Sequence, residues 1–201
     1  MTVRYAIAST RLGPILLAAT ERGVSRLAFG RHTDLVRAIL LAHGGNTARR
    51  DDGALAPFVG VVRRYLDGEV PALDLPVDVV GTPFEERVWA ALRAIPLGET
   101  RSYGAVARAL DEAATAQEVA RACAANPIAL VVPCHRVVRS DGTLGGYRWG
   151  VWRKRALLAL EARAAAPKGT PDAGVARGVA MERAASGAAK EGSGCGRFGL
   201  G

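Results

Sequence analysis

The sequence predicts an α/β domain over residues 1–81, a mostly α-helical domain with a helix-turn-helix over 82–165, and a disordered tail over 166–201. Three observations predict this arrangement. Strand-like alternation dominates the first segment, capped helical patterns dominate the second, and the third is rich in glycine and alanine. A length of 201 residues has room for one ordinary domain or two small ones.

The first segment begins with strands. Residues 3–8 alternate between large apolar and other side chains, as in a half-buried strand. Apolar stretches over 15–20 and 24–29 flank a Glu-Arg-Gly turn, which predicts a β-hairpin. Helical periodicity follows over 33–43, which ends at two glycines, and over 54–66.

The rest of the first segment carries no chemical signal. Residues 70–80 contain two prolines and predict an extended connector with a short edge strand. His32 and His43 each stand alone, outside any motif, so no ligand role is expected for either.

The second segment opens with capped helices. A capping box over 82–85, with proline at the first helical position, starts a helix that Pro96 stops. Ser102 is placed to cap a short helix over 103–110, and a second capping box over 115–118 opens another. Two short helices a few residues apart resemble a helix-turn-helix, although α proteins that never meet DNA share this pattern.

An apolar run over 128–132 predicts a buried strand or extended segment that leads directly into Pro133. The Ser-Asp-Gly sequence at 140–142 predicts a turn, and residues 151–165 predict a closing helix. The residues after Pro133 therefore lie where an apolar segment leaves the core.

Those residues, Cys134, His135 and Arg136, form the candidate nucleophilic site. A thiol attacks as the thiolate, and nearby imidazole and guanidinium groups stabilise that anion. Adjacent residues need not meet in space, so a buried structural cysteine remains the alternative. We expect Cys123 to be a small core residue and Cys195, in the tail, to be incidental.

Glu161 is the candidate partner of the imidazole. On the closing helix it lies four residues after Leu157 and next to Leu160, at the border of the apolar face. A carboxylate there can hold His135 as a base, which gives a thiol–imidazole–carboxylate relay. The alternative is an ordinary helix glutamate that reaches solvent.

The charge distribution suits a polyanionic partner. The net charge is +8, and residues 82–165 carry twelve Lys and Arg against eight acidic residues, hence +4. A high arginine content can also reflect genome composition alone. Three cysteines cannot form a four-cysteine zinc site, and without a signal-peptide core they indicate a reducing cytoplasm. No apolar run approaches the roughly 18 residues of a membrane span.

A series of short motifs runs in order through the second segment. They read Gly-Thr-Pro-Phe at 81–84, Ile-Pro-Leu-Gly-Glu-Thr at 95–100, Ser-Tyr-Gly at 102–104, Ala-Asn-Pro-Ile at 125–128, Val-Pro-Cys-His-Arg-Val-Val at 132–138 and Gly-Tyr-Arg-Trp-Gly at 146–150. With these motifs, residues 82–163 resemble the methylated-DNA–protein-cysteine methyltransferases. The last motif and the stretch 121–126 are most similar to the alkyltransferase half of bacterial adaptive-response proteins.

The resemblance implies a ribonuclease-H-like fold for residues 1–81 and a winged-helix-like fold for 82–165. It also implies DNA repair by direct damage reversal. Cys134 would take a methyl or larger alkyl group from the 6-oxygen of guanine, and less readily from the 4-oxygen of thymine. The transfer is irreversible and happens once per molecule. The implied partner is double-stranded DNA, the protein is expected to be a monomer, and no cofactor or metal is implied.

The same resemblance implies roles for individual residues. His135 would act as base through a water, oriented by Glu161, and Asn126 would brace the hydrogen-bond network. The target base would be flipped out of the duplex, because its alkylated atom is otherwise inside. The implied binding residues are Tyr103, Tyr147, Lys154 and Val137 for the base, and Gln117, Arg121, Arg136 and Ala122 for the DNA.

One position departs from the family. The second short helix would enter the minor groove, and it usually begins with an arginine that fills the gap left by the flipped base. Gln117 stands at that position here, and Arg121 lies one turn later. The departure bears on base extrusion and not on the thiol chemistry.

Three other functions share some of these features. A cysteine hydrolase also needs Cys and His, but it releases product with turnover and leaves Glu161 unused. A pure DNA-binding module, or a damage sensor without transfer, is the non-enzymatic alternative. In the sensor relatives the reactive cysteine is replaced, whereas Cys134 is present here. A methyltransferase with a diffusible donor needs a nucleotide-binding loop, and the sequence offers no credible one.

We predict that residues 166–201 are dispensable. Glycine and alanine make up 17 of these 36 residues and Leu, Ile, Val and Phe only four, too little apolar surface to offset the ordering entropy. A chain that ends near Pro167 is expected to keep its melting temperature and its rate of alkyl transfer, both measured beside the full chain. A melting temperature lower by more than a few degrees contradicts this prediction.

Overall fold

The N-terminal half folds around a four-stranded sheet that carries a helix on each face. The computed structural model describes residues 2–42, 48–110 and 114–166. In chain order the elements of this half are β1 (Val3–Thr10), β2 (Gly13–Ala19), β3 (Val24–Phe29), α1 (His32–Ala42), β4 (Ala48–Arg50) and α2 (Asp52–Leu66).

The sheet has the order β3-β2-β1-β4. β2 pairs antiparallel with β1 and β3, while β4 runs parallel to β1. Every residue from Ile15 to Ala19 in β2 is buried, because both faces of this central strand are covered. Leu16 packs with Leu35 of α1 on one face, and Leu17 belongs to the main core on the other.

The predicted hairpin and both predicted helices of this half are confirmed. β2 and β3 pair antiparallel from Ile15 with Phe29 to Ala19 with Val24, and the register shifts once, between Ala18 and Ala19. α1 covers the predicted helix up to Ala42, and its predicted last residue, His43, lies outside the described residues.

The short edge strand predicted within 70–80 is wrong. A single bridge joins Val77 to Val24, and no ladder extends from it. The Val24 amide donates to the Pro76 carbonyl and the Val24 carbonyl accepts from Asp78, at 2.8 and 2.9 Å. Pro71 and Pro76 have no N–H, so they cannot extend the pairing along the segment.

The C-terminal half is mostly helical. Two strands of two residues each pair in parallel within it. Its elements are α3 (Pro83–Arg93), β5 (Arg101–Ser102), α4 (Tyr103–Leu110), α5 (Ala116–Ala125), a 3₁₀ turn (Cys134–Arg136), β6 (Val137–Val138) and α6 (Val151–Ala165).

Both predicted capping boxes are present. Thr82 and Glu85 exchange side-chain and backbone hydrogen bonds at the start of α3, and Thr115 and Glu118 do the same at α5. The Ser102 hydroxyl accepts from the Ala105 amide at 3.1 Å and so caps α4 as predicted. These local signals are reliable because each cap satisfies amides that the first helical turn leaves free.

The apolar run 128–132 is buried, but it forms no strand. Leu27 of β3 donates to the Pro127 carbonyl and accepts from the Ala129 amide, which makes one bridge. The chain then turns at Leu130, whose φ is 70°. The run therefore fills the space between the two halves and delivers Cys134 to the end of a turn.

No helix among residues 2–42, 48–110 and 114–166 is long and apolar enough to cross a membrane. The tail predicted over 166–201 lies outside the described residues, apart from Ala166.

We predict that Gly98→Ala lowers the free energy of unfolding by about 2–4 kcal/mol. Gly98 has φ +78°, which alanine tolerates poorly, and a Cβ there would lie 2.6 Å from the Cβ of Ala165 in α6. Gly60→Ala is the matched control. Nothing lies within 4 Å of a Cβ at Gly60, inside α2, so the control is expected to stabilise by about 0.5–1 kcal/mol. Urea unfolding of both variants measures the difference, and equal effects contradict the prediction.

Candidate active site

Cys134 lies on the 3₁₀ turn that follows the apolar run. Its side chain is 4% exposed. The Cys134 amide donates to the Val132 carbonyl at 2.8 Å, and Pro133 precedes the turn with φ −82°. The thiol is thus fixed at the end of a buried segment and not on a free loop.

Asn126 ties this thiol to the end of α5. Its Nδ2 donates to Cys134 Sγ at 3.3 Å and to the Val132 carbonyl at 2.9 Å. Its Oδ1 accepts from the Ile128 amide at 2.8 Å. Since Asn126 is fully buried and bonded at both ends of its amide, it holds the turn and the thiol in one fixed relation.

His135 and Glu161 meet as predicted. His135 Nε2 lies 2.7 Å from Glu161 Oε1, and both side chains are buried. The other ring nitrogen, Nδ1, has no hydrogen-bond partner among the described residues. A neutral ring that donates from Nε2 to the carboxylate presents a lone pair at Nδ1.

Two further side chains bind the same carboxylate. Arg136 donates from Nε to Oε2 at 2.9 Å and from Nη2 to Oε1 at 3.0 Å, and from Nη1 to the Ile95 carbonyl at 2.5 Å. The Tyr65 hydroxyl donates to Glu161 Oε1. Glu161 is therefore the acceptor at the centre of a buried network.

Burial and these contacts set the protonation states. Burial raises the pKa of Cys134 to about 11. The hydrogen bond from Asn126 and the charge of Lys154 lower this pKa, but by less than burial raises it. Burial lowers the pKa of His135, which Glu161 raises only in part. Burial alone would raise the pKa of Glu161, but the hydrogen bonds from His135 and Arg136 bring it down to about 2. At neutral pH the site therefore holds a thiol, a neutral imidazole and an ionised carboxylate.

An open cavity of about 420 Å³ leads to the thiol. This is the size range of small-molecule sites. Its wall combines the start of α4, one side of α5 along its length, the 3₁₀ turn and the loop before α6. The lining residues are Tyr103, Ala116, Gln117, Ala120, Cys123, Ala124, Cys134, Arg139, Gly145, Gly146, Tyr147 and Arg148.

Tyr147 and Lys154, both predicted to contact the base, occupy different places. Tyr147 lines the cavity, its ring is edge-on to His135 at 6.3 Å between centroids, and its buried hydroxyl has no partner among the described residues. Lys154 is fully buried beneath the loop. Its Nζ donates to the carbonyls of Val137 (2.6 Å), Leu144 and Gly146 (3.2 Å), so it holds the cavity wall.

The predicted DNA-binding residues divide into two groups. Gln117 and Arg121 are exposed on α5, and Gln117 also lines the cavity. Ala122 faces the interior, and its carbonyl accepts from Trp89 Nε1 at 2.9 Å. The Ala122 side of α5 packs against α3, and its predicted contact with DNA stays a prediction.

Arg136 and Val137 make contacts inside the protein. The Arg136 side chain is 12% exposed and its guanidinium is committed to Glu161 and the Ile95 carbonyl. The structure places Arg136 in the network around Glu161, and its predicted contact with DNA stays a prediction. Val137 is fully buried, and its contribution near the site is the carbonyl that receives Lys154.

Four residues near the site escaped the sequence analysis. Arg139 and Arg148 line the cavity, and Arg148 Nη1 donates to the Ala124 carbonyl near the end of α5 at 3.1 Å. Cys123 is in the core, as predicted, and it lines the cavity as well. Arg148 lies in the Gly-Tyr-Arg-Trp-Gly motif, so the motif could have indicated that it lies near the site. Nothing in the sequence linked Tyr65 to Glu161. Within the described ranges no group of three His, Cys, Asp or Glu side chains could hold a metal ion.

Comparison with known proteins agrees with this geometry. The family models "6-O-methylguanine DNA methyltransferase, ribonuclease-like domain" and "6-O-methylguanine DNA methyltransferase, DNA binding domain" match residues 3–79 and 83–163. The Escherichia coli (strain K12) bifunctional transcriptional activator/DNA repair enzyme Ada is 44% identical over 167 residues, which is 81% of this chain. The chain spans about half of that relative, 46% of its length.

Two mycobacterial proteins are similar over more of their own length. The methylated-DNA–protein-cysteine methyltransferase of Mycobacterium bovis is 48% identical over 111 residues, 55% of this chain and 67% of that protein. The crystal structure of Mycobacterium tuberculosis OGT in complex with DNA superposes with a TM-score of 0.70 at 36% identity, over 82% of this chain and 94% of that one. With its N-terminal sheet domain and helical C-terminal domain, the chain belongs to the methylated-DNA–protein-cysteine methyltransferase family.

Proposed function

We propose that the protein repairs alkylated DNA by direct reversal of the damage. Cys134 accepts a methyl or larger alkyl group from the 6-oxygen of guanine, and less readily from the 4-oxygen of thymine, in one irreversible step. The observation that carries the proposal is the buried thiol at the end of an open cavity, beside a His135–Glu161 pair 2.7 Å apart.

The proton moves along the relay before or as the alkyl group moves. Cys134 gives its proton through one water to His135 Nδ1, the ring nitrogen that has no partner among the described residues. Glu161 stabilises the imidazolium that forms. The thiolate then attacks the alkyl carbon, a carbon–sulfur bond forms, and the bond to the guanine oxygen breaks. The proton returns to the departing guanine, so charge and atoms balance.

The ion pair between Glu161 and Arg136 helps to keep the His135 imidazole neutral, so that it can accept a proton. A carboxylate left alone would favour the imidazolium, which cannot accept a proton from the thiol. The bidentate contact of Arg136 offsets the charge of Glu161, and burial favours the neutral ring. The thioether product leaves Cys134 without a thiol, and no step returns it, so each molecule acts once.

The cavity admits a base only when the base has left the duplex. Cys134 is 4% exposed, and a stacked base could not bring its 6-oxygen to the sulfur. In this proposal α4 and α5 form a helix-turn-helix of the winged-helix type, and α5 lies in the minor groove. Gln117 and Arg121 on α5 are exposed toward solvent, and Arg139 at the cavity adds positive charge for phosphates.

Tyr103 and Lys154 act on the flipped base in different ways. Tyr103 lines the cavity beside the thiol, and burial raises the pKa of its hydroxyl to about 12, so it remains a donor to the base. Lys154 acts through the loop it holds and through its charge near Cys134. The partner is double-stranded DNA with an alkylated guanine or thymine, bound by a monomer in the cytoplasm, where the thiols stay reduced.

We predict stoichiometric self-alkylation at Cys134. After incubation with duplex DNA that contains methylated guanine, the intact mass is expected to increase by one methyl group per chain, mapped to the peptide that contains Cys134. Cys134→Ser removes the nucleophile and is expected to bind DNA without transfer. Multiple turnovers would favour a hydrolase, and a label confined to Cys123 or Cys195 would contradict the assignment.

We predict that Gln117→Arg speeds repair of duplex DNA by roughly fivefold, equivalent to about 1 kcal/mol. An amide can hydrogen-bond the orphaned cytosine, but it cannot stack as a guanidinium plane does, and it adds no phosphate attraction. The rate with free alkylguanine is expected to change little, because a free base needs no flipping.

Gln117→Lys is the matched control for that experiment. Lysine adds the charge without the plane, so both variants are expected to raise the salt slope of DNA binding by about one unit. The gain in repair rate is expected for arginine alone. Equal acceleration of duplex and free base would place Gln117 in the chemistry, and no effect on either would mean that Arg121 or another residue already fills the gap.

A further inference from the structure

Tyr65 connects the N-terminal domain to the relay. It lies in the last turn of α2, 96 residues before Glu161, and its hydroxyl donates to Glu161 Oε1. Its side chain is 3% exposed, so the hydroxyl reaches the carboxylate through the packed core and not through solvent. The alkyl-transfer assignment above makes no use of this contact.

We infer that Tyr65 is a positioning residue for the transfer: its hydroxyl fixes the Glu161 carboxylate and takes up part of the charge that would otherwise act on His135. The N-terminal domain thereby sets how strongly the imidazole binds a proton. This inference rests on the proposed alkyl transfer and adds a residue to the same site.

The geometry at one oxygen carries the argument. Glu161 Oε1 accepts from the Tyr65 hydroxyl, from His135 Nε2 at 2.7 Å and from Arg136 Nη2 at 3.0 Å. Oε2 accepts from Arg136 Nε alone among the described contacts, at 2.9 Å. A carboxylate oxygen has two lone pairs, so three donors at Oε1 compete for the same charge. Removal of one donor strengthens the hold of the other two.

The surroundings fix the sign of the effect. Burial and the charge of Glu161 raise the pKa of Tyr65, so its hydroxyl stays protonated and acts as a donor throughout the useful pH range. Without that donor, more carboxylate charge stabilises the imidazolium, and the pKa of His135 rises. The titratable and charged groups that face His135 and Glu161 come from four parts of the chain: Tyr65 of α2, Cys134 and Arg136 of the 3₁₀ turn, Tyr147 of the loop and Lys154 of α6.

A protonated His135 cannot accept the thiol proton, so the transfer rate falls as pH drops through the pKa of His135. A raised pKa moves this fall to higher pH. Tyr65→Phe keeps the buried ring and deletes only the hydroxyl. It is therefore expected to move the midpoint of the acid limb up by about half a pH unit or more.

The test measures the rate of Cys134 methylation by intact mass in the full chain, from about pH 5 to about pH 9. Both a methylated duplex and free O6-methylguanine serve as substrates. Because Tyr65 acts on the proton relay and not on base flipping, the shift is expected to be the same with both. Tyr5→Phe is the matched control. Like Tyr65, Tyr5 is a buried tyrosine of the N-terminal half, but it lies in β1 and belongs to the separate core cluster beside α1. Tyr5→Phe is therefore expected to keep the wild-type midpoint.

A second measurement does not depend on transfer. In the Cys134→Ser chain, the proton on His135 Nε2 is expected to move downfield in the NMR spectrum when Tyr65→Phe is added, since its bond to Glu161 strengthens. Tyr5→Phe is expected to leave it in place. This signal reports the relay even where a variant transfers too slowly to follow.

The outcomes separate the two proposals. A wild-type chain that never methylates Cys134 overturns the proposed function, whatever Tyr65 does. A wild-type chain that transfers normally, with an unchanged midpoint and an unmoved Nε2 proton in Tyr65→Phe, overturns the role of Tyr65 alone. A uniform loss of rate at every pH with the midpoint unchanged overturns it too, because that pattern indicates a structural contribution.

Discussion

The buried carboxylate of Glu161 is the interaction on which the site depends. It lies on α6, and it holds His135 and Arg136 from the 3₁₀ turn and Tyr65 from α2. Loss of one member of a buried ion pair generally costs about 3–5 kcal/mol, because the remaining charge is left without a partner. Glu161 and Arg136 therefore have to be explained together, as a pair that joins the closing helix to the turn carrying the nucleophile.

Hydrogen bonds from buried side chains hold the rest of the cavity wall in place around the thiol and Glu161. Asn126 fixes the sulfur to the end of α5, and Lys154 fixes the loop around Gly146 to α6. Asn126 also bonds the Val132 carbonyl, and Lys154 bonds three carbonyls, so each buried side chain holds backbone at the cavity wall. Arg148 adds a third attachment, from the loop to the Ala124 carbonyl near the end of α5. The thiol, the base pocket and α5 are thus parts of one rigid arrangement.

The sequence predicted the elements whose causes are local. The capping boxes at Thr82 and Thr115, the hairpin and the closing helix depend on neighbours within a few residues, and each is present. The three-residue β4 and the two-residue β5 and β6 were missed, because such short strands carry no alternation and exist only where a partner strand passes.

The same distinction explains the site. Cys134, His135 and Glu161 were found because a nucleophile, a base and an apolar-face carboxylate leave local signals. The resemblance placed Arg136 and Ala122 at DNA, yet a guanidinium two residues after the nucleophile and an alanine on α5 acquire their partners only through packing. Tyr65 could not be linked to Glu161 from the sequence, since two helices from different halves of the chain have to meet first.

If Cys134 is used once, as proposed, it has to stay unreactive until its substrate arrives, and the electrostatics of this cavity favour that state. Burial raises the pKa of Cys134 to about 11, so the sulfur is a thiol at neutral pH and a poor target for other electrophiles. The charge of Lys154 and the hydrogen bond from Asn126 lower the cost of the thiolate without removing the barrier. A neutral His135 beside an ionised Glu161 can take the proton of Cys134. This proton transfer leads to a stable product only when an alkyl carbon is within reach of the sulfur. In the proposed transfer, the relay thus makes reactivity conditional on a base in the cavity, and the depth of Cys134 requires that such a base has first left its duplex.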